Sequence, residues 1–537
     1  MLRASAHVDP FARQRLPPAD QWPTLCFELD ALHYPDRLNC GAALLDDALA
    51  QVDPDKPAVV QGERTWSYAE LAAATNRFAH LLVEDYGVVP GSRVMLRGPN
   101  SPELFAAWLA VMKTGAIAVT TIPMLRTMEL RRLVEKAEIA VALCHHALVD
   151  DLLPLLTDTP LERIATFGAP DADFETKGAG KPETFQAVDT SQDDVCLIAF
   201  TSGTTGQPKA TLHFHRDVMA MCDTFAAHML QPVADAVFTG TPPIAFTFGL
   251  GGVLVFPLYF RATIALPEQS TPMALAETVE RHRATHVFTS PTAYRAILAK
   301  GEAVDLSSLR VCVSAGEPLH KATSDAWFER TGIRLIDGIG ATEMIHIFIS
   351  AAGEAIRPGA VGKPVPGYSA VLLDEANRPI EGPGVGRLGV RGPTGCRYMD
   401  DPRQAGYVID GWNVTGDVFR RDEDGYYWYV ARADDMIVSS GYNIAGPEVE
   451  EALNLHPAVA ECAVIGWPDE ERGHIVKAVV VTVEGVQPGP ELARALQEHV
   501  KQTLAPFKYP RAVEFRTSLP RTPTGKLQRN ALKKTSV

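Results

Sequence analysis

The stretch "IAFTSGTTGQPKAT", residues 198–211, decides how this chain is interpreted. An apolar segment ending at Phe200 runs into a loop of glycine and hydroxylated residues, and a cation follows at Lys209. A strand, a Gly/Ser/Thr loop and a lysine are typical of phosphate binding, because glycines let backbone N–H groups approach an anion. The spacing differs from the G-x-x-x-x-G-K-[ST] loop, so an ordinary surface turn is the alternative.

Helical and strand-like patterns alternate on both sides of this stretch, up to residue 430. The segment "WSYAELAAATNRFAHLLVEDYG" predicts an amphipathic helix that closes at Gly87, and "SRVMLRG" predicts a buried strand. A second helix begins with Ser101 as its N-cap, and the strand "AIAVTTIP" follows it. Strands that alternate with helices predict an α/β fold of mainly parallel sheets covered by helices.

The pattern changes near residue 432, where a separate α+β arrangement begins. Its predicted elements are a helix at "PEVEEALNLHP", strands at "VAECAVIGW" and "HIVKAVVVTVE", a helix at "PELARALQEHVKQTL" and a last strand and turn. A segment of about a hundred residues is long enough for a small domain. We therefore predict a large N-terminal domain, 1–432, and a small C-terminal domain, 433–537, joined by a short polar hinge.

Composition limits the classes of protein that this chain can belong to. A chain of 537 residues is too long for one hydrophobic core, and a net charge of −15 argues against nucleic-acid binding. The eight cysteines form no C-x-x-C pair, so we predict neither a disulfide framework nor a zinc site, and a reducing, cytoplasmic compartment. The N-terminus lacks the apolar core of a signal peptide. The longest apolar segment, 249–260, predicts a buried helix rather than a membrane span.

Four further motifs follow the glycine-rich stretch in a fixed order: "DGIGATE" (337–343), "VTGD" (414–417), "ARADDMIVSSGYNI" (431–444) and "PRTPTGKLQR" (520–529). Together with "TSGTTGQPK" they resemble the adenylate-forming superfamily of acyl-CoA synthetases, peptide-synthetase adenylation domains and luciferases. The resemblance covers almost the whole chain. It implies that a carboxylate attacks the α-phosphate of ATP to give an acyl-adenylate, and that a thiol then displaces AMP.

The resemblance also implies roles for individual residues. Lys526 matches the catalytic lysine that bridges the substrate carboxylate and the α-phosphate, and Lys209 and Thr342 match catalytic contacts to the phosphates. Glu343 matches the Mg²⁺ ligand, and Ile339 covers adenine where many relatives carry tyrosine. The implied nucleotide-binding set is Thr201, Ser202, Gly203, Thr204, Thr205, Gly206, Lys209, Gly316, Glu317, Pro318, Asp337, Gly338, Ile339, Thr342, Asp417, Arg432 and Lys526. Asp417 would hold the ribose, assisted by Arg432.

The second half-reaction involves the small domain. Asp434 matches the family's hinge, about which this domain turns after adenylation and withdraws Lys526. The same turn brings Ser440, Gly441 and Tyr442 to the site, where the glycine lets the pantetheine arm of coenzyme A pass close to the backbone. ATP, Mg²⁺ and coenzyme A are the implied cofactor and co-substrates.

The acid that is activated is indicated by aromatic residues and one histidine. The stretch "PPIAFTFGLGG" (242–252) supplies Phe246 and Phe248, and "ATEMIHIFIS" supplies His346. These stretches resemble benzoate–CoA ligases, and the opening "HVDPFARQRLPPADQWP" resembles their 2-aminobenzoate (anthranilate) branch. The implied acid-binding residues are Phe246, Ala315, Gly338, Gly340 and His346. The alternative for the phenylalanines and the histidine is a purely structural role in the core.

The sequence leaves three other functions open. One is a ligase for benzoate or a substituted benzoate, since the ortho-amino group needs no dedicated acidic partner. Another is a stand-alone adenylation enzyme that loads a carrier protein in trans. The third is a non-catalytic nucleotide sensor, which the intact Lys209, Glu343, Asp417 and Lys526 disfavour. In every case the partners are small molecules or a carrier, with no nucleic acid and no membrane.

Overall fold

The computed structural model describes residues 2–201, 208–301, 303–439, 442–469, 472–504, 506–522 and 527–534. The chain divides into two compact units. The first comprises Met1–Ala370 and Val390–Asn413, and the second comprises Val371–Gly389 and Val414–Val537. The domain boundary predicted after residue 432 falls inside the second unit and stays a prediction.

Two large sheets form the frame of the first unit. Their strands are β1 Pro57–Gln61, β2 Arg64–Ser67, β3 Arg93–Arg97, β4 Ile117–Thr121, β5 Val141–His145, β6 Arg163–Phe167, β7 Val195–Thr201, β8 Lys209–Phe214, β9 Val237–Gly240, β10 Thr263–Leu266, β11 His286–Thr289, β12 Val311–Ser314, β13 Ile336–Gly340, β14 Ile347–Ser350 and β15 Lys363–Pro364. The six-stranded sheet has the order β6-β5-β3-β4-β7-β8, and the nine-stranded sheet has the order β15-β14-β13-β12-β11-β9-β10-β1-β2. Among the described strands of these two sheets, the antiparallel pairs are β7 with β8, β1 with β2, β13 with β14 and β14 with β15, and the other strand pairs are parallel.

Helices connect the parallel strands of both sheets. In the first unit they are α1 Phe11–Gln14, α2 Cys40–Leu49, α3 Tyr68–His80, α4 Pro102–Lys113, α5 Thr127–Ala137, α6 Asp173–Thr176, α7 His215–Met221, α8 Thr247–Leu250, α9 Phe256–Tyr259, α10 Pro272–His282, α11 Pro291–Lys300, α12 Lys321–Thr331 and α13 Gln404–Tyr407. Three π-helical segments, Leu81–Asp85, Cys222–Leu230 and Gly251–Val255, extend α3, α7 and α8.

The capping residues explain where these helices begin. The Ser101 hydroxyl accepts a hydrogen bond of 3.2 Å from the Leu104 N–H, so α4 starts at Pro102 as predicted. Ser67 and Glu70 form a reciprocal capping box, so α3 begins at Tyr68, two residues later than its sequence pattern. The apolar segment 249–260 is helical and largely buried, which confirms that prediction. No helix in the described ranges is long and apolar enough to cross a membrane.

The second unit contains the α+β arrangement that the sequence predicts. One sheet has the strands β16 Ser369–Leu373, β17 Gly384–Arg391, β18 Val408–Ile409, β19 Trp412–Arg421 and β20 Tyr427–Arg432, in the order β16-β17-β19-β18 with β20 on β19. All of these strands except β18, which belongs to the first unit, lie wholly or mostly in the second unit. The other has β21 Ile437–Ser439, β22 Tyr442–Ile444, β23 Val459–Asp469, β24 Gly473–Thr482 and β25 Ala512–Phe515, with helices α14 Gly446–Asn454, α15 Pro490–Thr503 and α16 Arg529–Lys534. The predicted fold class is therefore confirmed: mainly parallel helix-connected sheets and a smaller α+β part.

Candidate active site

The strands β7 and β8, which flank the glycine-rich stretch, pair antiparallel as the two arms of a β-hairpin. Thr201 and Lys209 are opposite each other at the ends of β7 and β8, and the residues Ser202, Gly203, Thr204, Thr205 and Gly206 lie outside the described ranges. A segment around Tyr398 runs beside β8, where the Met399 N–H donates to the Ala210 carbonyl at 2.8 Å. The side chain of Tyr398 therefore lies next to Lys209.

A chain of two hydrogen bonds joins a cation to a carboxylate at this place. The Lys209 ammonium donates to the Tyr398 hydroxyl at 3.1 Å, and that hydroxyl donates to Oε1 of Glu343. Tyr398 is fully buried and Glu343 is 9% exposed. Burial and the Glu343 charge raise the pKa of the Tyr398 phenol far above its usual value, so the hydroxyl stays a proton donor.

Glu343 fits the requirements of a magnesium ligand. Mg²⁺ takes oxygen ligands and is usually held by one or two carboxylates together with substrate phosphates. The Glu343 carboxylate is oriented by the Tyr398 hydroxyl and lies two hydrogen bonds from the lysine that ends the glycine-rich loop. The ion, when bound, supplies charge neutralisation for phosphate oxygens, and Glu343 can hold it.

Two adjacent strand ends bring the predicted adenine-binding residues together. β12 and β13 are parallel, with Ser314 opposite Asp337, so residues 315–318 leave the sheet beside residues 338–340. Gly316 has φ of +90°, a conformation that favours glycine, and its missing Cβ leaves open space. The Glu317 carboxylate accepts a hydrogen bond of 2.6 Å from Thr292, a contact that orients it along this edge.

Asp337, at the same edge, is partly exposed as a residue, but its carboxyl group is buried. Its desolvation raises the pKa to about 7. A carboxyl group with this pKa can accept or donate a hydrogen bond near neutral pH, which suits recognition of a heterocyclic base. Ile339, the departure from the tyrosine of many relatives, follows two residues later on β13 and is also partly exposed.

The turn after β13 carries Thr342 and Glu343. It is a short 3₁₀ segment, Thr342–Met344, and its first carbonyl accepts a hydrogen bond of 2.8 Å from Nε2 of His213. His213 belongs to β8, so this hydrogen bond connects β8 to the turn that follows β13. Ile345, the next residue, has φ of +65°, which is rare for a β-branched residue.

His346 follows this unusual turn and lies in an aromatic enclosure. It is 2% exposed, and its ring centroid is 5.0 Å from that of Phe225, 4.7 Å from that of Phe256 and 6.0 Å from that of Phe248. Burial lowers the pKa of His346 to about 3, so the imidazole is neutral. A backbone group of Phe248 lies near the ring and opposes this lowering of the pKa, but neither ring nitrogen makes a well-aligned hydrogen bond within the part of the chain that is described.

Two glycines make room for this histidine. A Cβ on Gly251 would lie 2.6 Å from Cδ2 of His346, and a Cβ on Gly340 would lie 2.8 Å from its carbonyl oxygen. Gly338 is equally crowded, since its Cβ would meet the Ile347 side chain at 2.7 Å. Among the other predicted acid-binding residues, Ala315 is 8% exposed at the end of β12, and Phe246 is partly exposed just before α8.

The second unit holds the predicted ribose-binding pair. Asp417 and Arg432 are opposite each other on β19 and β20, and an Arg432 guanidinium nitrogen lies 3.3 Å from Oδ1 of Asp417. Asp417 is 7% exposed, whereas the Arg432 side chain is 45% exposed. The Asp417 carboxylate is therefore the more buried member of the pair. Gly416, the residue before it, has φ of +79°, a conformation that favours glycine.

The residues predicted for the hinge and for coenzyme A are only partly described. Asp434 lies in a short 3₁₀ segment, Ala433–Asp435, directly after β20, and Tyr442 begins β22. Ser440, Gly441 and the predicted catalytic Lys526 lie outside the described residues. Asp435, next to the predicted hinge, is 3.8 Å from the Lys533 ammonium and 4.0 Å from the Arg529 guanidinium.

Sequence reasoning missed four residues of the site: Tyr398, Phe225, Phe256 and Gly251. Tyr398 follows a strand in the turn "GPTGCRYMD", and nothing in that turn indicates that its hydroxyl meets Glu343. Phe225 and Phe256 lie in apolar runs that are typical of core helices. The pair Gly251-Gly252 was the available signal, because adjacent glycines in a buried helix indicate close approach of a neighbour.

Comparison with known proteins identifies the class to which this fold and site belong. Residues 47–397 match the family described as AMP-binding enzyme, and residues 448–526 match the AMP-binding enzyme C-terminal domain. The benzoate–CoA ligase of Thauera aromatica is 34% identical over 511 residues, covering 94% of this chain and 97% of that protein. The 3-hydroxybenzoate–CoA ligase of Aromatoleum sp. (strain CIB) is 33% identical, covering 92% and 96%.

A solved structure shows the same relationship. An anthranilate CoA ligase in complex with anthranoyl-AMP superposes with a TM-score of 0.88 and 33% identity, covering 94% of this chain and 98% of that one. The chain is therefore an AMP-forming acid–thiol ligase that uses ATP, Mg²⁺ and coenzyme A. It belongs to the AMP-binding enzyme family, in the benzoate–CoA ligase group of the adenylate-forming superfamily.

Proposed function

We propose that the protein is an aryl acid–CoA ligase that activates 2-aminobenzoate. Support for an aryl acid comes from the benzoate- and hydroxybenzoate–CoA ligases that it resembles. Support for the amino-substituted acid comes from the anthranilate CoA ligase that superposes on this chain. The alternative within the same class is benzoate or another substituted benzoate.

The observation that carries the proposal is the neutral, enclosed imidazole of His346. Phe225, Phe248 and Phe256 surround it with flat apolar surface, which suits an aromatic ring better than a long acyl chain. A neutral imidazole offers one nitrogen as an acceptor. The N–H of an aromatic amine is a suitable donor for that acceptor, whereas benzoate offers none and leaves the buried nitrogen unpaired.

In the proposed first half-reaction a carboxylate oxygen of the acid attacks the α-phosphorus of ATP, and the bond to the β-phosphate oxygen breaks. Pyrophosphate leaves with the electron pair. The glycine-rich loop, Lys209 and Thr342 bind the outgoing phosphates, and Glu343 holds Mg²⁺. Lys526 stabilises the negative charge that develops between the carboxylate and the α-phosphate.

In the proposed second half-reaction the thiol of coenzyme A attacks the acyl carbon of the adenylate. The acyl–oxygen bond breaks, AMP leaves, and the thiol proton passes to solvent. Asp417 and Arg432 keep the ribose of the adenylate in place during this exchange. We assign the passage of the pantetheine arm to Ser440, Gly441 and Tyr442, and the change between the two half-reactions to a hinge at Asp434.

The test is AMP release with coenzyme A across 2-aminobenzoate, benzoate, 2-hydroxybenzoate, 3-hydroxybenzoate, phenylacetate and hexanoate. We expect kcat/KM for 2-aminobenzoate to exceed that for benzoate by about tenfold, which is about 1.4 kcal/mol. His346→Phe should abolish this preference while benzoate is still used. The matched control is His286→Phe, which replaces another buried imidazole that stacks on Phe238 and belongs to β11.

The possible outcomes test separately the preferred acid, the aromatic pocket and the role of His346. Equal or better use of benzoate by the wild-type protein would make it a general benzoate ligase and remove the role of His346 in recognising the amino group. A preference for hexanoate would contradict the aromatic pocket altogether. An unchanged preference in His346→Phe would place amino-group recognition on other residues.

A further inference from the structure

A second cluster of reactive side chains lies outside the site described above. The Sγ atoms of Cys40 and Cys196 and a ring nitrogen of His215 all lie within 4.8 Å of one another. All three residues are fully buried. Nδ1 of His215 is 3.1 Å from the Cys40 sulfur and accepts a hydrogen bond of 3.2 Å from the Cys40 backbone N–H.

Three separate elements bring these residues together. Cys40 is the first residue of α2, Cys196 lies in β7, and His215 is the first residue of α7, directly after β8. The sequence separations are too large for a recognisable C-x-x-C pattern, so only the fold creates the cluster. Because β7 and β8 are the two strands of the glycine-rich hairpin, the cluster lies at the base of that hairpin.

The chemistry of the three donors is that of a metal site. Thiolate sulfur and imidazole nitrogen are the ligands of Zn²⁺ and Cu⁺ in proteins. Bonds of about 2.0–2.3 Å to one ion separate its ligand atoms by roughly 3.5 Å. The 3.1 Å between His215 Nδ1 and Cys40 Sγ is near this value, and all three separations are within 4.8 Å. Nδ1 of His215 carries a lone pair that accepts a hydrogen bond from the Cys40 N–H, so an ion bound at Nδ1 replaces this hydrogen bond and the imidazole keeps its tautomer.

We propose that Cys40, Cys196 and His215 bind a thiophilic d¹⁰ metal ion, Zn²⁺ or Cu⁺, that fastens α2 to the base of the hairpin. Each ligating thiol loses its proton to solvent when the ion binds, and no oxidation is involved. Three protein ligands satisfy Cu⁺, whereas Zn²⁺ takes a fourth donor. The full burial of the cluster means that the ion enters while the chain folds.

The test uses the full-length chain and two routes of metal loading. In the first, the reduced protein is unfolded, freed of metal with a chelator and refolded with Zn²⁺, Cu⁺ or Co²⁺ separately. In the second, the protein is produced in medium supplemented with each metal and purified without chelator. Metal content after desalting is measured by mass spectrometry, and thiolate ligation of Co²⁺ is read from its charge-transfer absorption. We expect about one ion per chain by both routes.

Single substitutions of the cysteines show which of them bind the metal ion. Cys40→Ala and Cys196→Ala should each lower metal content at least tenfold and remove the Co²⁺–thiolate absorption. Cys312→Ala is the matched control, since Cys312 is also fully buried in the first unit but its thiol contacts Trp327 rather than this cluster. It should bind metal as the wild-type protein does.

Three results would overturn the proposal, the third from the control variant. One is the absence of bound metal in the wild-type protein by both loading routes. Another is a Cys40–Cys196 disulfide, found by mass spectrometry of the alkylated protein, in place of a metal ion. If Cys312→Ala loses metal as fully as Cys40→Ala, the ion belongs to a different set of ligands. Adenylation activity does not enter this test, so its result is independent of the proposed substrate.

Discussion

Tyr398 shows how a single neutral residue organises two charges. Lys209 and Glu343 carry opposite charges, and the tyrosine hydroxyl, which accepts from the ammonium and donates to the carboxylate, lies between them. Because the phenol is fully buried, its two hydrogen bonds fix the positions of both partners. We infer that Tyr398 positions the proposed Mg²⁺ ligand relative to the proposed phosphate-binding lysine without touching the substrate.

Replacing Tyr398 by phenylalanine therefore tests this arrangement. A buried hydrogen bond to a charged group contributes about 1.5–3 kcal/mol, so acid-dependent ATP–pyrophosphate exchange should fall roughly tenfold to hundredfold in Tyr398→Phe. The Mg²⁺ concentration at half-maximal rate should rise, while KM for the aryl acid stays unchanged. A purely structural role would lower stability without this shift in Mg²⁺ dependence.

The control for this substitution is Tyr407→Phe. The Tyr407 ring packs edge-on against Tyr398, with centroids 5.6 Å apart, so the control removes a hydroxyl from the same neighbourhood. We expect it to keep the wild-type Mg²⁺ dependence. Equal Mg²⁺ shifts in the two variants would mean that general loosening of this region, and not the Tyr398 hydroxyl, accounts for the effect.

At the scale of elements, the β13–β14 hairpin carries backbone strain next to the proposed acid pocket. Ile345, in its turn, has φ of +65° and ψ of −33°. A β-branched residue in this region is a steric outlier, at a cost of about 1–3 kcal/mol. The strained turn directs His346 back into the enclosure of phenylalanines, so the strain lies where the proposed substrate contact is made.

A matched pair of substitutions isolates this strain. Ile345→Gly and Ile347→Gly each remove a buried isoleucine side chain, and their residues are 0% and 2% exposed. Only Ile345→Gly also relieves the positive φ, so it should be less destabilising than Ile347→Gly by about 1–3 kcal/mol. Urea unfolding of both variants measures the difference. Equal losses of stability would show that the wild-type turn stores no strain.

The elements were largely predictable from sequence, and the contacts between them were not. Ser101 and Pro102 indicate the start of α4, because the Ser101 hydroxyl accepts a hydrogen bond from the first turn of the helix. Such local capping signals do not depend on the rest of the chain. The approach of Tyr398 to Glu343, or of Cys196 to Cys40, depends on strand order, which brings distant residues together. No spacing in the sequence indicates the strand order. The motifs therefore indicate Lys209 and Glu343, but they do not indicate Tyr398.

At the scale of the whole molecule, the domain boundary near residue 432 stays a prediction from the sequence. The change of pattern near residue 432 reflects local composition, whereas residues 371–389 group with the C-terminal chain in the second unit. Long-range strand pairing leaves no periodic signal that would indicate such a grouping. The hinge at Asp434 therefore stays a prediction, and function is its most direct test.

The proposed division of labour between the two half-reactions makes Lys526 the decisive residue. Its ammonium should be needed only while charge develops on the α-phosphate, because the second half-reaction transfers the acyl group to a thiol. Loss of a well-aimed donor of this kind costs about 3–4 kcal/mol, so Lys526→Ala should slow adenylation by roughly 10²–10³-fold. Conversion of pre-made 2-aminobenzoyl-adenylate to the thioester should stay close to the wild-type rate.

Lys501→Ala is the control, because Lys501 is an exposed lysine of α15 paired with Glu498 and should leave both half-reactions intact. ATP–pyrophosphate exchange measures the first half-reaction, and thioester formation from added adenylate measures the second. If Lys526→Ala slowed both equally, one arrangement of the site would serve both steps, and the proposed exchange of domain positions about Asp434 would lose its rationale. If only the first step slows, Lys526 serves adenylation alone, as the proposed division between the two half-reactions requires.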